Sequence, residues 1–138
     1  MSKPSATHII DQMYNNDAFS QWLGIERLEE KEGYAKIRMI IRPEMTNGFN
    51  VAHGGITFSF ADSAFAFASN SRGRHAVSIE TSISHTKAVY IDDTLIAEAI
   101  EEHLSYKTAI YKVIVTNQNK EIVALFKGTV YRKSQEWQ

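Results

Sequence analysis

The 138-residue chain has no cysteine. Disulfides and thiol catalysis are therefore excluded, and the composition fits a cytoplasmic protein. An excess of one charge is missing too. Fifteen Lys and Arg stand against 16 Asp and Glu, leaving a net charge of −1 and no reason to expect a nucleic-acid partner. No apolar run approaches the roughly 20 residues that span a bilayer. No apolar stretch follows the lysine of Met1-Ser2-Lys3-Pro4-Ser5, so neither membrane association nor a secretory signal is expected. There is no repeat, low-complexity tract or linker, and the length suits one domain spanning residues 1–138. Ser59 and Ser63 have no Gly-x-Ser-x-Gly elbow around them. No phosphate loop occurs. His8, His75, His85 and His103 lack metal-ligand spacing and read as surface or strand residues, so no metal is expected.

Periodicity organises what is present. Ile9, Ile10, Met13, Tyr14, Phe19 and Trp22 recur every three or four positions, which predicts helix from Ala6 to about Gly24. Asn15-Asn16-Asp17 splits it in two, with Asp17 placed to cap the second piece. Ile25 to Glu30 and Tyr34 to Arg42 read as a strand pair turned at Lys31-Glu32-Gly33, with Ala35, Ile37, Met39 and Ile41 on one face. Residues 54 to about 70 form the long helix in the middle of the chain. Ile56, Phe58, Phe60, Ala61, Ala64, Phe65, Phe67 and Ala68 fall all round it, so it is buried. Period two then takes over. Val77, Ile79, Thr81 and Ile83 alternate with Ser78, Glu80, Ser82 and Ser84, and Asp92-Asp93 marks a turn. Leu95 to His103, Ala109 to Thr116 and Ile122 to Tyr131 are three more strands, the last two joined by Asn117-Gln118-Asn119-Lys120. The predicted class is α+β, an antiparallel sheet wrapped around one central helix. Ile110, Val113, Ile114 and Val115 put apolar side chains on both faces of a strand, which asks for a second subunit as cover.

The chemistry concentrates between Asn47 and Asp62. Gly54-Gly55 at a helix start leaves backbone N–H groups approachable at the positive end of a helix dipole. Asp62, two turns in, sits among apolar residues, where an unpartnered acid costs several kcal/mol unless it is hydrogen-bonded or placed in a cleft. Donors for a developing oxyanion and a nearby carboxylate are the minimum kit for acyl transfer. Each residue also has a structural reading. Asp62 could meet a Ser or Thr at a subunit interface, the glycines could serve close packing, His53 could only cap, and Asn47-Gly48 could only turn. Arg72, Arg74, Lys87 and Lys107 could hold an anionic ligand tail, or simply be solvated.

The spacing Asn47, five residues, His53-Gly54-Gly55, six residues, Asp62 resembles the hotdog-fold thioesterases, and more narrowly their phenylacetate-pathway (PaaI-type) group. Met13-Tyr14-Asn15-Asn16-Asp17, Phe65-Ala66-Phe67-Ala68-Ser69-Asn70-Ser71 and Ile122-Val123-Ala124-Leu125-Phe126-Lys127-Gly128 are similar to that group as well. The resemblance implies a hotdog fold and a homodimer with a continuous sheet and shared active sites, commonly paired into a homotetramer. It implies that the Gly54 N–H polarises a thioester carbonyl with help from Asn47 and His53. Asp62 of the opposite subunit then acts as base toward water or as nucleophile. Gly55, Ser78 and Phe65 are the implied substrate contacts, Ser78 falling where relatives place a hydroxyl near the attacking water. Relatives often carry a proline after the strand that Val77 begins, where this chain reads Thr86-Lys87-Ala88.

The expected activity is hydrolysis of an acyl-CoA thioester, with an aryl group such as phenylacetyl or hydroxyphenylacetyl, or a medium acyl group, and without a cofactor. Phe58, Phe65 and Phe67 are available to line an apolar pocket. The alternatives are a hydratase on the same fold, which usually pairs a His with an acid differently, and a non-catalytic acyl-CoA binding protein.

Overall fold

Two side-chain caps set the N-terminal layer of the computed structural model, which describes residues 2–138. Ser5 Oγ accepts from His8 N at 3.1 Å and opens α1 (Ala6–Asn15), and Asp17 accepts from Ser20 N at 2.9 Å and opens α2 (Ala18–Leu23). Gly24 ends α2 at φ 77°, the left-handed conformation that costs glycine nothing. The predicted split at Asn15-Asn16-Asp17 is therefore where the chain breaks.

Six strands follow in one sheet: β1 (Glu26–Lys31), β2 (Tyr34–Ile40), β3 (Arg74–His85), β4 (Thr94–Leu104), β5 (Thr108–Thr116) and β6 (Ile122–Glu136). Their order is β1-β2-β4-β5-β6-β3 and every neighbouring pair is antiparallel. A 17-residue helix, α3 (Gly54–Asn70), lies against β2, β3, β4, β5 and β6, while α1 and α2 pack on it from elsewhere. The α+β architecture expected from periodicity is the one observed. Ala35, Ile37, Met39 and Ile41 are all buried, as their alternation requires. In β5, Ala109, Tyr111, Val113 and Val115 are fully inside, whereas Ile110 and Ile114 are half-buried on the other face. Among the described residues, no helix is long and apolar enough to cross a membrane.

Two departures from the sequence reading have the same source, the edge position of β3. β6 runs five residues beyond Tyr131, because β3 continues to pair with it as far as Arg74 opposite Glu136. The face expected from Val77, Ile79, Thr81 and Ile83 is covered only in its second half, where Thr81 and Ile83 are half-buried. A bulge between Ser78 and Glu80 shifts the register, and Val77 and Ile79 are 41% and 59% exposed.

Asn70 ties the end of α3 to its surroundings. Its Nδ2 donates to Ala66 O (2.9 Å) and Ala76 O (3.2 Å), and its Oδ1 accepts from Ala76 N and Trp137 Nε1, both at 3.0 Å. Halfway along the helix, the Phe65 ring lies directly over Gly128 of β6. A Cβ added there would stand 2.6 Å from Phe65 Cζ, and the ring is held on its other sides by Tyr111 and Phe126 at centroid distances of 6.0 and 5.5 Å. Gly128→Ala is therefore expected to destabilise the fold by roughly 1–3 kcal/mol, the usual cost of overpacking a core. Chemical denaturation measures this, and an unchanged midpoint would refute the contact.

Candidate active site

The loop before α3 is built on Asn47. Its Oδ1 accepts from Phe49 N at 2.8 Å, its backbone N–H donates to Val51 O at 2.9 Å, and Asn50 takes φ 61° to close the turn. Both turn-forming bonds leave the N–H2 end of the Asn47 amide as the end that can donate outward. Ala52 N then donates to Val89 O (2.7 Å) and His53 N to Met45 O (2.8 Å), which anchors the start of the helix from two sides.

His53 is the N-cap of α3. Its Nδ1 accepts from Gly55 N at 3.0 Å, so the neutral ring carries its proton on Nε2. Ile56 N donates to His53 O at 2.9 Å. The first turn of a helix leaves its N–H groups without intrahelical partners, and here two of them, at 55 and 56, are taken up by His53. The N–H of Gly54 is the one presented outward, at the positive helix end. Gly55, expected as a substrate contact, instead gives its N–H to the cap. A Cβ at Gly55 would come within 3.2 Å of His53 Nδ1, and one at Gly54 within 3.3 Å of His85 Nε2. The paired glycines thus leave room for two imidazoles.

His85 is a strand residue and exposed, as expected, but its place beside Gly54 was not foreseen. It lies at the end of β3 and points the Nε2 edge of its ring at Gly54. The signal was available, because position 85 continues the inward phase of Thr81 and Ile83. Together with Val51, Ala52, Gly54, Thr57 and residues 86–89, it lines a hollow of about 370 Å³. A larger depression of about 620 Å³ lies at the other end of α3, near Arg72 and Arg74. Two of its cations are ion-paired: Lys3 with Glu32 at 2.8 Å and Arg72 with Glu101 at 2.9 Å. It contains no member of the Asn47–Asp62 segment. Among the described residues, no group of three or more His, Asp or Glu could hold a metal ion.

Asp62 is half-buried. Loss of water around its carboxyl, and secondly the charge of Asp17, raise its pKa above the ordinary 3.8. It lies eight residues beyond Gly54, ~12 Å along the helix, so one chain does not bring the two together. Ser78 is exposed on β3 beside the bulge, also apart from Gly54. Phe65 is 1% exposed and filled in by Gly128, Tyr111 and Phe126, so within one chain it is a core residue rather than a pocket wall. Phe67 is likewise buried, and Phe58 is half-buried against Phe126 at 5.6 Å.

Residues 49–124, more than half of the chain, match the Thioesterase superfamily. The chain belongs to that superfamily. A protein of Archaeoglobus fulgidus is 50% identical to this thioesterase over 127 residues, covering 92% of this chain and 82% of its own. The acyl-coenzyme A thioesterase PaaI of Escherichia coli is 40% identical over 120 residues, covering 87% and 86%. The solved structure of E. coli PaaI, from the phenylacetic acid degradation operon, superposes with a TM-score of 0.93 at 37% identity over 95% of both chains. A Streptococcus mutans protein solved bound to acetyl CoA gives a TM-score of 0.80 at 26% identity, covering 82% of this chain and 91% of that one. The sheet wrapped on α3 is thus the hotdog fold, and the protein is an acyl-CoA thioesterase of the PaaI type.

The raised pKa of Asp62 carries a stability consequence. With the folded value above the unfolded one, the stability it contributes is complete below about 3.8 and is lost as pH rises through the folded value. Asp62→Asn removes an ionisable group that burial penalises. It is expected to raise the melting temperature near neutral pH, with the gain shrinking as the pH falls towards ~4. Thermal unfolding across pH measures it, and a variant less stable than wild type at neutral pH would contradict the desolvated carboxylate.

Proposed function

We propose that this thioesterase hydrolyses aryl or medium-chain acyl-CoA, phenylacetyl and hydroxyphenylacetyl thioesters first among them, at sites completed by a second copy of the chain. The observation that carries the reading is the placement of two complementary halves on one helix. The outward N–H of Gly54 and the half-buried carboxylate of Asp62 are ~12 Å apart along α3, too far to act on one carbonyl. The long β3 edge has a hydrogen-bonding neighbour on one side only, and it exposes Val77 and Ile79. Such an edge favours pairing with another chain. A homodimer joined there, or a tetramer of two such dimers, would let Asp62 of the partner subunit meet Gly54.

In that arrangement the Gly54 N–H, aided by the Asn47 amide and the Nε2–H of His53, holds the thioester carbonyl oxygen. Asp62 takes a proton from water as the water oxygen bonds to the carbonyl carbon, and negative charge builds on the carbonyl oxygen against those donors. The C–S bond then breaks, its electron pair leaves on the coenzyme A sulfur, and the proton held by Asp62 returns to that thiolate or to solvent. Direct attack by the carboxylate, giving an anhydride that water opens, uses the same geometry. A carboxyl whose pKa is raised binds a proton more tightly than an ordinary aspartate, which suits a general base. The acyl class is supported by the phenylacetic acid degradation operon that encodes the E. coli relative, and a coenzyme A ligand by the acetyl CoA of the S. mutans structure. The absence of cysteine supports a cytoplasmic site of action.

Asp62→Asn is expected to lower kcat roughly 100-fold or more while KM changes little, measured on the best substrate from a panel of aryl and straight-chain acyl-CoA thioesters. Near-wild-type turnover in that variant would remove Asp62 from the chemistry, and a preference for long straight chains would overturn the acyl class. Diluting the enzyme below the dissociation constant of its dimer should abolish turnover. Activity that stays proportional to concentration in a demonstrably monomeric sample rules out shared sites.

A further inference from the structure

Asp17 was expected only to cap α2, and its Oδ1 does so through Ser20 N at 2.9 Å. Its other oxygen does something a cap does not require. Oδ2 accepts from Ser20 Oγ at 2.5 Å, and Ser20 Oγ lies 2.8 Å from Ser63 Oγ on α3, the neighbour of Asp62. A serine hydroxyl has one proton to give. With the Ser20 proton directed to the carboxylate, Ser63 must be the donor in the second bond. Both protons of the chain therefore point toward Asp17. Ser20 and Ser63 are 1% and 9% exposed, so this chain crosses the α2–α3 contact largely shielded from water, where such networks are strong.

Among the described residues, the charged groups on the elements packed against α3 are mostly paired or turned away from Asp62. Lys36, Arg38, Glu98, Lys112 and Lys127 alternate with buried residues and lie on the far face of the sheet. On α1, Asp11 is paired with Arg27 at 2.8 Å and His8 meets Gln138 O. Glu101 is paired with Arg72 beyond the C-terminal end of α3. On β3, Arg74 lies over Tyr106, His75 stacks on Trp137, Glu80 is exposed, and His85 faces Gly54 at the opposite end of the helix. Among the described residues, Asp17 is the charged group that hydrogen bonds tie to the turn carrying Asp62, and its charge adds to the loss of water that raises the Asp62 pKa.

We propose that Asp17 is a positioning residue for the thioesterase reaction: the Ser63–Ser20–Asp17 chain holds a second carboxylate, fixed in place, against the turn of α3 that carries Asp62. Asp17 touches no substrate. It works through a neighbour, by the repulsion that makes two nearby carboxylates reluctant to be ionised together. The inference rests on the reading of Asp62 as the base.

The test uses Asp17→Asn, which keeps the cap acceptor and removes the charge, and Ser20→Ala, which keeps both carboxylates and removes the hydroxyl that joins Asp17 to Ser63. In each full-length variant the Asp62 carboxyl is titrated by carbon-13 NMR, and kcat/KM on an acyl-CoA thioester is followed across pH. Asp17→Asn is expected to weaken proton binding at Asp62 roughly threefold or more and to move the acidic limb of the rate profile to lower pH. Ser20→Ala should move both by less, in the same direction. An Asp62 midpoint that stays at the wild-type value in folded Asp17→Asn overturns the proposal, as does a loss of rate equal at every pH, which marks a cap and nothing more. If Asp17→Asn does not fold, an unmoved midpoint in Ser20→Ala overturns it instead. A midpoint that moves while the rate profile stays fixed removes Asp17 from the reaction and shows that the base assigned to Asp62 is wrong, a result distinct from failure of the coupling itself.

Discussion

Because α3 carries apolar side chains on every side, from Phe60 and Phe65 to Phe67 and Ala68, the fold has to cover it all round. Most of the molecule follows from that constraint. A sheet supplies one wall, and its inner residues, such as Ile37, Ala97, Val113 and Phe126, alternate with an outer face that mixes Lys36, Arg38, Glu98 and Lys112 with the half-buried Ile110 and Ile114. At roughly 25 cal/mol per Å² of apolar surface removed from water, this helix is the main reason the strands gather where they do. Close approach is part of the arrangement. Gly128 exists to admit the Phe65 ring, and Ala61, Ala64 and Ala68 keep the helix near its neighbours. The two short N-terminal helices close the remainder.

The same burial makes the start and the middle of the helix chemically unusual. At its N-terminus the first-turn N–H groups would be orphaned, and His53 takes two of them while Gly54 presents the third. Two turns on, Asp62 has little water around it and a second carboxylate nearby. A fold optimised for stability alone would have neither an outward amide nor a half-desolvated acid. In the proposed reading such groups trade stability for reactivity, and the helix that organises the core carries them.

Local features were readable from the sequence because they are set by near neighbours. Asp17 three residues before Ser20 and Asn47 in its own loop each form contacts within a few positions, and Gly33 takes the φ of 76° that the β1–β2 turn needs. The paired glycines announced a helix start, and Asp62 stood out as the lone acid on an apolar helix. What depended on distant pairing was harder to see. The exposure of Val77 and Ile79 follows from β3 being an edge strand with a bulge, which alternation does not reveal. Phe65 could have lined a pocket or filled the core, and Gly128, more than sixty residues away, decides for the core.

The sequence by itself determined the fold class and the superfamily, and marked the segment proposed to hold the chemistry, since those rest on periodicity, capping and a contiguous motif. The tertiary structure decided which N–H the helix start offers, which imidazole stands over it, and that Ser63, Ser20 and Asp17 join α2 to the helix of Asp62. The physical reason is distance along the chain. His85 is 31 residues from Gly54 and Ser20 is 43 from Ser63, and only folding onto the buried helix brings such side chains within hydrogen-bonding or van der Waals reach.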